Sequence, residues 1–238
     1  MKVYEKMEIY LIQIRVQGYA KRYLRSLMYE LSKKYRLKGA LSSGGVPHIS
    51  MYGPFSTNNE HELIREFVKT CKNYDLIAFK FKGFNAFDNT TNKVIYLDVN
   101  PSEELKLLRY ELAKNLSNIS NSKSPFDKSG KNDFKFHAAI VYKRIDKVFS
   151  DIWSYLQRKP VPTINQVLLR ATIIKRGKIL CEYDFLQKRL LFGREALDRR
   201  TFRKTIEILK VRKQELFYEN ALENESVWIK IKKFFKGK

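Results

Sequence analysis

Residues 47–55 read Pro47-His48-Ile49-Ser50-Met51-Tyr52-Gly53-Pro54-Phe55, and residues 136–141 read Phe136-His137-Ala138-Ala139-Ile140-Val141. Each stretch sets a histidine inside a short apolar run of strand character. Side chains alternate between the two faces of a strand. His48 and Ser50 therefore share one face, while Ile49 and Met51 point the other way, into a core. His137 and Ala139 likewise lie opposite Ala138 and Ile140. The chain has only three histidines. The third, His61, lacks the second histidine of a zinc-protease helix and reads as a surface helix residue.

Outward from these strands, the same order of elements occurs twice. Before His48 come a strand at residues 8–16 and a helix at 18–35, marked by Tyr23, Leu24, Leu27, Met28, Leu31 and Tyr35 at three-and-four spacing. Gly53-Pro54 is expected to close the His48 strand, and Asn58 or Asn59 to cap a helix ending near Lys72. Strands at 76–84 and 93–99 flank the turn-rich Asp88-Asn89-Thr90-Thr91-Asn92. Pro101-Ser102-Glu103-Glu104 opens a helix, with acids in its first turn. A polar loop at 117–133 precedes the His137 strand, a helix at 145–156 follows, and strands at 162–175 and 178–189 meet at Arg176-Gly177. His48 falls 40 residues after the start of its half, and His137 43 residues after the start of the other. The expected fold is α+β, with two pseudo-duplicated lobes of antiparallel sheet and outer helices around a central cleft. From Gly193 helix formers take over, so the expected division is a bilobal domain at 1–192 and a basic helical extension at 193–238.

The chain has 238 residues, 44 % hydrophobic and 13 % aromatic, which is too apolar for a disordered polycation. Its 47 Lys plus Arg exceed 25 Asp plus Glu by 22, a surplus that fits a polyanionic partner, nucleic acid before an anionic membrane surface. The extension holds 13 basic and 7 acidic residues, a net of +6, which leaves +16 to residues 1–192. No apolar run approaches the roughly 18 residues of a membrane span. The charged start of the chain reads as a strand, not a secretory signal. Cys71 and Cys181, 110 residues apart, fit no metal or redox spacing, so a reduced, cytoplasmic protein without metal or cofactor is expected. Phosphate-loop, dinucleotide and serine-elbow motifs are absent from the sequence.

Two imidazoles with ordinary pKa values near 6.5 can divide the base and acid roles of phosphodiester hydrolysis without a metal. A neighbouring hydroxyl can hydrogen-bond a phosphate oxygen, and cations can stabilise the charge of the transition state. Basic residues gather at Lys21 to Lys38 and again at Lys123, Lys128, Lys131 and Lys135. Tyr52, Phe55, Phe84 and Phe87 are candidate base-stacking rings as well as candidate core.

With these residues in place, the chain resembles the 2H phosphoesterase superfamily, named for paired His-x-Ser/Thr-x motifs. Within it, the resemblance is to proteins called 2′-5′ RNA ligases or RNA 2′,3′-cyclic phosphodiesterases. His48-Ile49-Ser50-Met51 followed by Tyr52-Gly53-Pro54-Phe55 carries the first motif, and the element order over residues 7–191 fits that family's bilobal fold. The resemblance implies His48 and His137 as the catalytic pair and Ser50 as the phosphate-binding hydroxyl. Tyr52, Tyr142, Lys143 and Lys135 are the candidate substrate-binding residues. The implied partner is RNA with a 2′,3′-cyclic phosphate end, opened to a 2′-phosphate, with 2′-5′ joining as the reverse reaction. The second motif departs from the pattern, because Ala139 stands where the family has Ser or Thr. Tyr142, Lys143 or Ser50 are candidates to make up the loss. Two other readings therefore stay open: an RNA-binding protein of this fold with weakened or lost chemistry, and a phosphodiesterase for small 2′-5′-linked or cyclic nucleotides. For the Trp228–Phe235 stretch of the extension three readings stay open: lying on an anionic membrane, holding RNA, or, the favoured one, packing on the core or on a second subunit.

Overall fold

The computed structural model describes residues 8–37, 46–89, 92–142 and 145–213. The Ser42–Gly45 loop, Lys143, Leu216 and the Trp228–Phe235 stretch lie outside the described residues. Strand β1 (Ile9–Arg15) sends Tyr10, Ile12 and Ile14 into the core. Helix α1 (Gly18–Lys34) buries Ala20, Leu24, Leu27, Met28 and Leu31, one apolar stripe at helical spacing. Strand β2 (His48–Ser56) does not stop at Gly53-Pro54 as expected but continues to Ser56. Gly53 makes this possible. Its φ is +105°, and a Cβ there would come within 2.9 Å of the Phe55 ring and 3.1 Å of the Tyr10 carbonyl.

Helix α2 (Glu60–Cys71) starts at Asn59, whose side chain accepts from the Glu62 N–H at 3.0 Å. Strands β3 (Ile77–Asn89) and β4 (Asn92–Pro101) form a long hairpin, and helix α3 (Glu103–Ser117) begins at Ser102, which caps the Leu105 N–H at 3.3 Å. The polar loop contains a short strand β5 (Asn121–Ser122) and a 3₁₀ turn at Pro125–Lys128. Strand β6 (His137–Val141) and helix α4 (Phe149–Gln157) follow. The strand expected at 162–175 is broken at Leu169 into β7 (Thr163–Leu168) and β8 (Arg170–Lys175). The strand expected to reach Arg189 ends earlier, giving β9 (Lys178–Asp184) and β10 (Arg189–Phe192). Asp184 closes the intervening turn by accepting from the Leu186 and Gln187 N–H groups at 3.1 and 2.9 Å.

The strands build two antiparallel sheets, in the orders β10-β9-β8-β1-β2-β5 and β6-β4-β3-β7. The fold is thus α+β, and the repeat is real but interlocked. Strand β3 ends the first half yet pairs with β4 of the second, while β8 ends the second half and pairs with β1 of the first. The two histidine strands are related position by position. On β2, His48, Ile49 and Ser50 oppose Arg15, Ile14 and Gln13; the register then slips over Met51, and Tyr52 opposes Ile12. On β6, His137, Ala138 and Ala139 oppose Asp98, Leu97 and Tyr96; the register slips over Ile140, and Val141 opposes Ile95. Both strands carry their irregularity three residues after the histidine.

The chain divides after Gly193. Helix α5 (Gly193–Leu197) begins at this boundary and helix α6 (residues 199–213) follows it. Among the described residues no helix is long and apolar enough to cross a membrane.

Candidate active site

Each histidine sits on the first residue of its strand, half-buried, with buried neighbours Ile49 and Ala138 holding the opposite face in the core. The backbone fixes both rings in the same way. His48 Nδ1 lies 3.0 Å from the Val46 carbonyl, and His137 Nδ1 lies 2.9 Å from the Lys135 carbonyl, each two residues back. A carbonyl only accepts, so Nδ1 carries the hydrogen in both rings and Nε2 is the nitrogen without it. Strands β2 and β6 pack against each other where the sheets meet, and the charge of His48 bears on His137. The structure therefore brings the two imidazoles to one seam.

Burial holds both rings below the usual histidine range. For His48 it is opposed only by the bond to the Val46 carbonyl. For His137 burial is again the main cause and nearby His48 adds to it, against the Lys135 carbonyl and the Asp98 carboxylate. Ser50 is half-buried on the same face as His48. Ala139 occupies the equivalent place beside His137, so one hydroxyl is lacking there.

The remaining expected residues are scattered. Tyr52 is not on the seam. The slip over Met51 turns it to the face of Ile12, where it is 3 % exposed and its hydroxyl meets Ser120 Oγ at 2.9 Å. That is a correction: alternation alone would have left Tyr52 beside Ser50. Tyr142 lies past the end of β6 and is exposed. Lys135 is tied to Asp98 at 3.2 Å, two residues before His137. Lys143 falls outside the described residues. Of the candidate stacking rings, Phe55 is core and Phe84 packs against it, whereas Phe87 sits edge-on to His137 with ring centres 5.1 Å apart. Tyr96 flanks the same imidazole, also at 5.1 Å. Phe126, half exposed, lies 6.2 Å beyond Phe87.

Several residues on this face were not singled out from sequence. Arg15, opposite His48, binds Glu182 at 2.6 Å, and Arg170 joins Glu182 and Asp184 at 3.2 and 2.8 Å. Thr172 also donates to Glu182, at 2.8 Å. This buried network lines up with Gln13 and Ser50 across β9, β8, β1 and β2. A signal for it does exist: Gln13 and Arg15 alternate with Ile12 and Ile14, as Tyr96 and Asp98 alternate with Ile95, Leu97 and Val99. Polar residues at every second place of an apolar strand mark a face that is not core. Both cysteines are buried and free, and burial pushes their thiols up. Among the described residues no group of three or more His, Cys, Asp or Glu side chains is placed to hold a metal ion.

A family model described as the 2′-5′ RNA ligase superfamily matches residues 25–177. Among curated proteins, none matches the sequence. Similar solved structures include the apo form of Escherichia coli LigT, at 11 % identity and a TM-score of 0.42, covering 73 % of this chain and 92 % of that one. The Usb1 of Kluyveromyces marxianus is similar at 11 % identity and a TM-score of 0.41, over 72 % of this chain and 95 % of that one.

Proposed function

The chain belongs to the 2′-5′ RNA ligase superfamily, and from that premise we propose that it opens the terminal 2′,3′-cyclic phosphate of an RNA to a 2′-phosphomonoester without a metal. The observation that carries this reading is the matched pair of imidazoles, each with Nδ1–H fixed on a backbone carbonyl and Nε2 left for proton transfer. One neutral imidazole takes a proton from water as its oxygen attacks phosphorus. The bond from phosphorus to the 3′ oxygen breaks, and the other imidazole, protonated, gives its proton to that oxygen. The products are a 2′-phosphate and a free 3′-hydroxyl. With an RNA 5′-hydroxyl in place of water, the same steps form a 2′-5′ phosphodiester. Ser50 donates to a phosphate oxygen through the charge increase at phosphorus.

The purified chain, in EDTA, is expected to hydrolyse RNA ending in a 2′,3′-cyclic phosphate. His48→Ala and His137→Ala should each lower kcat by about 10²–10⁴-fold. Turnover that survives both substitutions, or that requires a metal, sinks the assignment. Ala139 favours one other reading, in which the fold holds RNA but no longer cuts it. Tight, salt-dependent RNA binding without turnover would select that reading.

A further inference from the structure

The position opposite Ala139 is the place to look for the hydroxyl that Ala139 lacks. Directly opposed residues in an antiparallel pair project from the same face, with their Cβ atoms about 5 Å apart. Tyr96 on β4 opposes Ala139 and lies two pairs along from the His137–Asp98 pair, on the same face. Its ring stands 5.1 Å from the His137 imidazole and 4.6 Å from Phe87. Its sequence neighbours Ile95 and Leu97 are fully buried in the core on the other face. The methyl of Ala139 leaves the space beside this ring that a larger residue would fill.

Tyr96 is only 1 % exposed, yet its hydroxyl has no hydrogen-bond partner among the described residues. A phenol that finds no partner in the protein must take one from solvent or from a ligand. The sealed, unpartnered side-chain atoms among the described residues are Glu8 Oε2, Arg15 Nε, Arg109 Nε and Tyr183 Oη, and the Tyr96 oxygen is not one of them. It therefore keeps a narrow access to solvent. The duplicated register adds an independent point. The pseudo-symmetric mate of Tyr96 is Gln13, which opposes Ser50 and is likewise a polar side chain only 6 % exposed. Both halves thus aim a polar side chain at the seam from the strand next to the histidine strand.

We propose that the Tyr96 hydroxyl is the second phosphate donor of this site, supplying from β4 the hydrogen bond that Ala139 cannot supply from β6. This rests on the reading of the seam as a phosphoesterase site. Burial and the nearby Asp98 carboxylate push the phenol up to about 12, so it remains a donor throughout the working range of two histidines. No proton leaves it in the reaction; it stabilises the added charge on a phosphate oxygen and stays a phenol.

The test compares the full chain with Y96F, Y96F/A139S, A139S and H48A, on RNA ending in a 2′,3′-cyclic phosphate and in calorimetric binding of a nucleoside 2′-monophosphate. Y96F should lower kcat/KM on the order of a hundredfold, and adding A139S should recover a large part of that loss. Wild-type turnover that H48A abolishes but Y96F leaves intact overturns the role of Tyr96 and spares the enzyme. Absent turnover, with 2′-monophosphate binding that Y96F weakens, keeps Tyr96 as an anion donor and removes the hydrolase. Absent turnover with binding unchanged in Y96F, or no binding at all, removes both. Should Y96F fail to fold, A139S alone decides. If Tyr96 already fills the role, an added hydroxyl changes kcat/KM by no more than about threefold, whereas a hundredfold gain would mean the donor had been missing.

Discussion

The two imidazoles are set by their surroundings to prefer the neutral state, and that has a consequence for pH. Hydrolysis by this pair needs one proton shared between two rings, one of them protonated and the other free. The singly protonated pair is most populated between its two apparent pKa values. Burial lowers both from the ordinary value near 6.5, with His48 adding to the effect on His137. The optimum of kcat/KM is therefore expected below pH 6.5, with a fall of about tenfold per unit on the alkaline side. A rate profile that is flat to pH 8 would contradict the shared-proton mechanism. The same shifts carry a sign for stability. Unfolded histidines take up protons as pH drops through about 6.5, while the folded rings resist. The folded state is therefore weakened below that pH, and thermal unfolding of the wild type should lose more between pH 7 and 5 than that of H48A.

Among the elements, the loop before β6 depends on one helix residue. Arg109 of α3 is fully buried, gives its guanidinium to the Phe126 and Ser129 carbonyls, lies 3.8 Å from Asp127 and stacks 3.9 Å over Phe134. Asp127 in turn accepts from the Gly53 N–H at 2.8 Å, which ties the loop to the His48 strand. Removing the guanidinium leaves a buried carboxylate and two carbonyls without it, a loss of about 3–5 kcal/mol. Arg109→Met should lower the melting temperature and strip amide protection from residues 123–135 first. Equal loss of protection across the two sheets would show that the loop has no separate dependence on Arg109. Sequence gave little sign of this latch, because Arg109 reads as one more charge on a solvated helix. What could be read was period: the strands around His48 and His137, the α1 stripe and the caps at Asn59 and Ser102 all follow from local spacing. What could not be read depends on the partner strand. The slip over Met51 moves Tyr52 from the seam to the core, and the break at Leu169 sends β7 and β8 into different sheets. Neither leaves a mark in the alternation of the strand itself.

Across the whole molecule, the proposed reading gives the surplus of 22 positive charges a use where it meets the seam. A cavity of about 450 Å³ adjoins the His137 strand, lined by Lys82, Lys106, Lys135, Asn100, Asn132 and Phe134 among others. Lys106 and Lys135 are engaged by Glu103 and Asp98 at 2.6 and 3.2 Å, whereas Lys82 is exposed on β3. Paired lysines add little net field, so Lys82 is the cation of this groove best able to neutralise a phosphate. If the chain holds an RNA end with its last phosphate at the histidines and the preceding backbone in this groove, Lys82→Ala should weaken RNA binding severalfold at low salt. It should also reduce the slope of log affinity against log salt by about one, as expected for one lost phosphate contact. Hydrolysis of a mononucleoside 2′,3′-cyclic phosphate, which reaches only the histidines, should stay unchanged. The comparison separates the remaining substrate readings as well. A wild-type chain that treats the mononucleotide and the RNA alike, with no response of either to Lys82→Ala, acts on a small nucleotide, and its charge then serves some purpose other than holding substrate. A wild-type preference for RNA that Lys82→Ala and rising salt both erode means that the groove beside His137 is where the surplus charge does its work.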